Sequence, residues 1–205
     1  MPFTFMMETD MRRIVMINWL SVDGFFAGPN GEIDWMVRDL EVDKALHEPR
    51  PDQALPESAG SDTMLLGNVT YTMFENSWPQ IAEDPNAPEE LHKLADEVIQ
   101  MTKIVFSRTR KEVTWENSKL FNGNLIEEVK KLKQGKGAPI IVFGSGSIVQ
   151  QLTDAGLIDE YLITVTPVVL GKGKPLFKDV KKLNLSLLEA RSFKSGNVLL
   201  RYGSH

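Results

Sequence analysis

The chain has 205 residues, a formal net charge of -5 at pH 7 and no cysteine. This length suffices for one substantial core, and the acidic balance argues against a protein that binds nucleic acids or anionic membranes in general. Without cysteine there are no disulfides and no thiolate chemistry, and we expect a reducing, cytoplasmic location.

Other global features also narrow the class of protein. Residues 1–10 are short and lack the basic start of a signal peptide, so we predict a flexible extension followed by a single domain over residues 11–205. No apolar run approaches the ~20 residues that a membrane span requires. The three histidines, His47, His92 and His205, are too widely spaced for a metal site, and we predict that no metal is bound.

Along the first half of the chain, short apolar runs alternate with amphipathic segments, which predicts strands alternating with helices. Asp23-Gly24 is a turn signal, and an irregular loop with aromatic residues follows it up to Trp35. The predicted strands span residues 13–20, 61–66 and 103–106. The predicted helices span residues 36–47, 69–74 and 89–101, and proline-rich surface loops are predicted over 48–60 and 78–88.

The second half of the chain ends differently. A helix is predicted over 124–133 with Asn124 as its N-cap, then a buried strand over 140–143 and a longer β-rich run over 161–170. Segments 183–188 and 198–202 flank a Lys-Ser-Gly-Asn turn and predict an antiparallel hairpin. The expected fold is therefore α/β, with a mostly parallel central sheet, helices on both faces and a C-terminal antiparallel hairpin.

The most informative segment is 139–152, in which a buried strand meets a Gly144-Ser145-Gly146-Ser147 turn that opens directly into a helix. Ser147 and Gln150 have the spacing of a capping box, and Gly156 marks the end of the helix. Glycines allow close approach of a ligand, and the helix N-terminus favours an anionic group such as a phosphate. A tight strand-to-helix turn without any ligand is the alternative.

Four loops follow strands and meet at the carboxyl edge of the predicted sheet, where ligands bind in such folds. They cover residues 21–35, 67–71, 107–110 and 144–147. Two of them suit phosphate, and the basic pair Arg108 and Arg110 lies between them in sequence. Each loop alone also fits a purely structural role, but together they indicate a ligand with several phosphates, such as a dinucleotide.

These motifs, taken in order, resemble the dihydrofolate-reductase-like superfamily. They are SVDGFFAGPNGEIDW, LLGNVTY, IVFSRT, IVFGSGS and LIDEYLITVTPVVLGKGKPLF, and the resemblance covers residues 11–202. More narrowly, the chain is similar to stand-alone relatives of the reductase domain of the bifunctional riboflavin-biosynthesis deaminase/reductase. The resemblance implies an NADPH-dependent reductase, without metal, that passes a hydride to a small heterocyclic or ribosylamino-pyrimidine-like substrate, as 5-amino-6-(5-phosphoribosylamino)uracil reductase does.

The resemblance also implies roles for individual residues. Gly144, Ser145, Gly146 and Ser147 match the turn that holds the cofactor's pyrophosphate. Gly67, Asn68 and Thr70 match an element that grips the phosphates from the other side, with Asn68 in the place of the usual arginine. Ser107 and Arg108 match the turn beside the adenosine ribose, where Arg108 pairing a 2′-phosphate would compensate for Asn68.

The expected catalytic residues lie in and before the loop over the nicotinamide. They are Asp23, Asp34 and Trp35, and the proton could come from Asp23, Asp34 or Asp39. The alternative function is a nucleotide-cofactor-binding protein without turnover, a sensor or scaffold. The long apolar runs late in the chain predict a homodimer, and the resemblance implies that it pairs through the C-terminal strands. Leu162, Val165 and Val168 are then expected either at or near the contact or in the ordinary core.

Overall fold

The computed structural model describes residues 11–47 and 61–204, which form an eight-stranded sheet, a small two-stranded sheet and five helices. The predicted extension over 1–10 and the predicted connection over 48–60 lie outside the described residues.

The large sheet has the strand order β5-β4-β3-β6-β1-β7-β10-β9, and β2 pairs with β8 in the small sheet. The strands are β1 (Ile14–Ser21), β2 (Phe25–Ala27), β3 (Thr63–Gly67), β4 (Thr102–Phe106), β5 (Ser118–Phe121), β6 (Ile140–Phe143), β7 (Glu160–Thr166), β8 (Lys174–Pro175), β9 (Leu185–Ser192) and β10 (Val198–Ser204). Strands β5, β4, β3, β6, β1 and β7 run parallel, whereas β10 is antiparallel to both β7 and β9. This arrangement confirms the predicted mostly parallel sheet with its C-terminal hairpin.

Helices cover both faces of the sheet, as predicted, because its central strands are apolar on both sides. The helices are α1 (Leu40–His47), α2 (Asn68–Glu83), α3 (Glu89–Gln100), α4 (Leu125–Gln134) and α5 (Gly146–Asp154). Apolar residues of α4 and α5 pack on one face, and those of α1, α2 and α3 pack on the other. Asn124 caps α4 as predicted, since its Oδ1 accepts hydrogen bonds from the backbone N–H groups of Ile126 and Glu127.

The structure corrects two predictions about helix boundaries. Helix α2 runs on to Glu83 through Pro79, where the sequence predicted a loop. Phe74 and Trp78 are buried and pack edge to face, with ring centroids 5.8 Å apart, so their burial outweighs the local preference of proline. The predicted capping box at Ser147 and Gln150 is also wrong. Ser145 is the N-cap of α5, Ser147 lies inside the helix, and no described side chain caps the first turn of α5.

For Leu162, the structure agrees with the alternative of an ordinary core position. Leu162 lies on the central part of β7, is 1% exposed and belongs to the core of the single chain. Val165 and Val168 are half-buried. The more exposed leucines of this region are Leu187, at 58% exposure, and Leu188, at 38%, both on the edge strand β9.

Candidate functional site

A cavity of about 1720 Å³ lies along the carboxyl edge of the sheet and continues between the sheet and helices α1, α2 and α3. Three of the four predicted loops contribute much of its polar lining, with Gly67–Thr70, Ser107–Thr109 and Gly144–Ser147 all facing it. The loop after β1 contributes Phe26, Ala27 and Asp34. Every cofactor-binding residue predicted from the sequence therefore lines one common cavity.

Two helix N-termini open into this cavity next to each other. The N-caps are Gly67 for α2 and Ser145 for α5, and at neither end does a described side chain accept from the first turn. Helix N-termini carry free N–H groups and a partial positive charge, so a pair of them suits two linked phosphates. Neither Asp nor Glu occupies the first turn of either helix, where it would compete with an anionic ligand.

The side chains of Ser145 and Thr70 tie the two turns together. Ser145 Oγ accepts from Gly67 N–H at 2.9 Å, while Ser145 N–H and Oγ–H both donate to Thr70 Oγ1, at 3.2 and 3.0 Å. Both residues are buried. Their side chains therefore fix the spacing of the two helix N-termini, and the backbone groups of the turns are what remains to meet a ligand.

The glycine turn after β6 has an unusual backbone. Gly144 and Ser145 both have left-handed conformations, with φ of 58° and 51°. A left-handed serine is strained by about 1–2 kcal/mol, and its hydrogen bonds offset that strain. At Gly146 a Cβ atom would lie 2.5 Å from Cζ of Phe26, so the absence of a side chain is required for the Phe26 ring to lie over this turn.

Sequence reasoning missed Asn18 and Phe26, which support the turn from β1 and β2. Asn18 is 3% exposed and its Nδ2 donates to the carbonyl of Gly144 at 3.2 Å. A buried asparagine inside an otherwise apolar strand was the available signal for Asn18. Phe26 could not be assigned, because its position depends on the pairing of β2 with β8 far along the chain.

Of the basic pair, Arg108 lines the cavity and Arg110 does not. Arg108 is exposed at the cavity, and its contact with a ribose phosphate stays a prediction. Arg110 Nε donates to Asn68 Oδ1 at 2.8 Å, and its Nη2 pairs with Glu75 Oε1 at 2.7 Å. Arg110 therefore holds Asn68 and the start of α2 in place.

The carboxylates predicted to deliver a proton occupy different places. Asp23 is not among the described residues that line the cavity, and its two carboxylate oxygens accept from Leu170 N–H at 3.1 Å and Gly171 N–H at 2.7 Å. The Ser21 side chain and these N–H groups lower the pKa of Asp23, so it stays ionised at neutral pH. This geometry gives Asp23 a role in fixing the loop after β7 and does not favour proton delivery.

Asp34 does line the cavity, while its neighbour Trp35 does not. Trp35 is half-buried, and its Nε1 donates back to the carbonyl of Glu32 at 3.0 Å. Asp39 is likewise absent from the described lining, since its carboxylate accepts from Glu41 N–H at 2.9 Å and from Ser195 Oγ.

Asp43 on α1 is the carboxylate that sequence reasoning missed. It is half-buried and lines the cavity, whereas its neighbour Val42 faces the core. Asp43 lies in the first turn of α1, where the helix dipole favours an acidic residue, so its presence there does not by itself indicate a functional site. Among the described residues, Asp34 and Asp43 are the two carboxylates that face the cavity.

Part of the cavity lining is aromatic. We define the apolar chamber as the part lined by Trp19, Met36, Met73, Phe74, Trp78 and Phe143. Ring centroids are 5.9 Å apart for Trp19 and Phe143 and 5.3 Å apart for Phe143 and Phe74, so the rings form a continuous wall.

Comparisons with known proteins show the family of this chain. Residues 12–199 match the model of the RibD C-terminal domain. The chain belongs to this family. It is 38% identical to the uncharacterized protein YyaP of Bacillus subtilis (strain 168) over 194 residues, which cover 93% of this chain and 94% of YyaP.

Solved structures show the same reductase-like fold. A putative riboflavin biosynthesis protein from Shewanella sp. PV-4 superimposes with a TM-score of 0.64 at 23% identity, covering 95% of this chain and 99% of that chain. RibD of Acinetobacter baumannii (form 1) also gives a TM-score of 0.64, at 18% identity, covering 97% of this chain and 60% of that chain. The family resemblance found in the sequence is thus confirmed.

The described residues contain neither a cluster suited to a metal ion nor a helix suited to a membrane span. Within residues 11–47 and 61–204, no group of three or more His, Asp or Glu side chains is arranged to hold a metal ion. No helix in the same part of the chain is both long enough and apolar enough to cross a bilayer.

Proposed function

We propose that this RibD C-terminal domain protein is an NADPH-dependent oxidoreductase that reduces a small heterocyclic or ribosylamino-pyrimidine-like substrate. The observation that carries the proposal is the pair of helix N-termini at Gly67 and Ser145, without side-chain caps and tied together at the mouth of one cavity. NADPH, when bound, supplies the hydride.

The turns have the features that a pyrophosphate requires. Gly146 and Ser147 open α5 with N–H groups directed along the helix axis, and Asn68 and Val69 do the same for α2. The backbone N–H groups of the two turns are therefore suited to bind two phosphate groups, although neither turn contains a lysine or an arginine. Arg108 is suited to the 2′-phosphate of the adenosine ribose, which would favour NADPH over NADH.

The side chains of the protein position a proton or a water beside the substrate and exclude other water from the reacting atoms. Asp34 and Asp43 face the cavity, and either can hold a proton or a water beside the substrate atom next to the reduced one. Phe26 lies over the turn at Gly146, Ala27 also lines the cavity, and both help to keep water from the reacting atoms. Correct placement of the two reactants contributes several kcal/mol to the lowering of the barrier.

The test combines binding and turnover. NADPH and NADH are titrated while nicotinamide fluorescence is followed, and pterins, ribosylamino-pyrimidines and quinones are then offered as acceptors. We expect saturable NADPH binding and oxidation of the cofactor by at least one acceptor. Binding without oxidation by any acceptor would favour the alternative, a nucleotide sensor or scaffold, and absence of binding would reject both.

We also propose that the protein is a homodimer. Leu187 and Leu188 lie exposed on β9, an edge strand, and an apolar edge of this kind is normally covered by pairing. Sedimentation at micromolar concentration tests the proposal. A species at twice the chain mass is expected, and a single species near 23.1 kDa would refute it.

A further inference from the structure

The guanidinium of Arg110 is fully occupied by contacts within the protein. Its Nε donates to Asn68 Oδ1 at 2.8 Å, and its Nη2 donates to Thr72 Oγ1 at 2.9 Å and to Glu75 Oε1 at 2.7 Å. Its Nη1 donates to Glu75 Oε2 and to the carbonyl of Glu112, both at 3.4 Å. A guanidinium has five N–H donors, so Arg110 could contact a phosphate only by giving up one of these bonds.

Helix α2 and a buried ring hold this guanidinium in one orientation. Asn68, Thr72 and Glu75 have the i, i+4, i+7 spacing that places them on one face of α2. The guanidinium lies along this face and over the ring of Tyr71, with Arg110 Cζ 4.5 Å from the ring centroid. Tyr71 is fully buried, and the side chains of Arg110 and Glu75 are only 19% and 17% exposed, so the arrangement is anchored in the core.

The contact with Arg110 determines which way the Asn68 amide faces. An arginine N–H can only donate, so the atom that it meets is the amide oxygen, and the NH2 group lies at the other end of the amide. Asn68 lines the cavity, whereas Arg110 and Glu75 are outside its described lining. Asn68 Nδ2 has no acceptor within the described parts of the chain, so two amide donors are available at the first residue of α2.

We propose that Arg110 is a positioning residue, which turns the Asn68 amide so that its NH2 group donates to a pyrophosphate oxygen of the cofactor. The inference rests on the proposed function in treating the ligand as a nicotinamide dinucleotide. The amide adds a hydrogen bond without adding a cation, because the charge of Arg110 is balanced by Glu75. The pyrophosphate is common to NADPH and NADH, so this contact strengthens the binding of both, unlike the contact proposed for Arg108.

A change at Asn68 separates cofactor binding from folding. Asn68→Asp keeps an oxygen for Arg110 and adds a charge that favours both this pairing and the helix N-terminus, so the variant should resist urea at least as well as the wild type. It replaces the NH2 donor by an anionic oxygen, so it should weaken NADPH and NADH binding alike, each at least about tenfold. Asn76→Asp is the matched control, because Asn76 is exposed on the same helix and outside the described lining. A loss in Asn68→Asp no greater than that in Asn76→Asp would overturn the proposal.

A double-mutant cycle tests whether Arg110 acts through Asn68. Arg110→Lys keeps a cation beside Glu75 but lacks the planar guanidinium that contacts Glu75 and Asn68 together. It should weaken NADPH binding several-fold in the wild-type background and have no further effect in the Asn68→Ala background. Equal losses in the two backgrounds would show that Arg110 supports the helix in general, and either this result or no loss in the wild-type background would reject the positioning role.

Inorganic pyrophosphate distinguishes failure of this inference from failure of the proposed function. Its binding to the wild type and to Asn68→Asp is measured by calorimetry. If NADPH does not bind but pyrophosphate binds and Asn68→Asp weakens it, the proposed function is rejected and the oriented amide stands as an anion contact. If NADPH binds and is oxidised while neither Asn68→Asp nor Arg110→Lys changes its affinity, the proposed function stands and the inference is rejected. Absence of binding of both ligands would reject both proposals.

Discussion

Replacing Ser145 tests most sharply how the two turns are held together. Its hydroxyl accepts from Gly67 N–H and donates to Thr70 Oγ1, and its φ of 51° is strained for any residue with a Cβ. Ser145→Ala removes both side-chain hydrogen bonds and keeps the strain. At about 1 kcal/mol for each hydrogen bond, it should lower the free energy of unfolding by about 2 kcal/mol.

Ser145→Gly loses the same two bonds but relieves the left-handed strain, which is about 1 kcal/mol. The glycine variant should therefore be about 1 kcal/mol more stable than the alanine variant, which is the reverse of the order within a helix and agrees with the order at an N-cap. Urea unfolding followed by tryptophan fluorescence measures both variants against the wild type. An alanine variant as stable as the glycine variant, or more stable, would refute this reasoning.

Three further predictions concern the cofactor groove and the core. Arg108→Ala should weaken NADPH binding by about 1.5 kcal/mol, roughly tenfold, and should leave NADH binding nearly unchanged. Lys111→Ala is the control, because Lys111 is exposed and outside the described lining of the cavity. Gly146→Val should weaken NADPH binding at least about tenfold, because its Cβ would lie 2.5 Å from Cζ of Phe26 and the clash would distort the turn, and adding Phe26→Ala should restore part of the binding by removing the clash. Burial lowers the pKa of Lys103 to about 8. Between pH 8 and about pH 10.5 the unfolded chain therefore binds more protons than the folded chain does. The free energy of unfolding of the wild type, relative to that of Lys103→Met, should rise over this pH range by up to about 3 kcal/mol.

Each of these has a contradicting result. Equal losses for NADPH and NADH in Arg108→Ala would mean that the arginine merely stabilises its turn. Unchanged NADPH affinity in a folded Gly146→Val variant would mean that the pyrophosphate does not lie at this turn, and no gain from adding Phe26→Ala would mean that the clash with the phenyl ring is not the cause of the loss. A stability difference between the wild type and Lys103→Met that does not change from pH 8 to pH 10.5 would show that the ammonium is not destabilised by burial.

The sequence predicted those parts of the fold whose patterns are local. The two-sided apolar strand at 140–143 and the capped helix after Asn124 carry their signals within a few residues, and both predictions were confirmed. The exception was α2, where Pro79 suggested a break and the burial of Trp78 kept the helix intact. Short strands such as β2 and β8 have no periodicity to detect, because only their pairing defines them.

The candidate site was predictable where turns carry glycine and unpredictable where distant elements meet. The roles proposed for Gly67 and Gly146 followed from turn chemistry, and both residues line the cavity. The hydrogen bonds between Ser145 and Thr70 join residues that are 75 positions apart in the sequence, so neither turn alone indicated them. Asp43 was missed for a similar reason, since a helical position faces a cavity only after the helix has docked on the sheet.

The central claim is that the paired helix N-termini hold the pyrophosphate of NADPH, and a crystal structure of the protein with NADPH tests it most directly. The account predicts pyrophosphate density between Gly67–Thr70 and Gly144–Ser147, with phosphate oxygens within hydrogen-bonding distance of the N–H groups of Gly146 and Ser147. A complex in which the pyrophosphate lies elsewhere, with these turns facing only solvent, would contradict it.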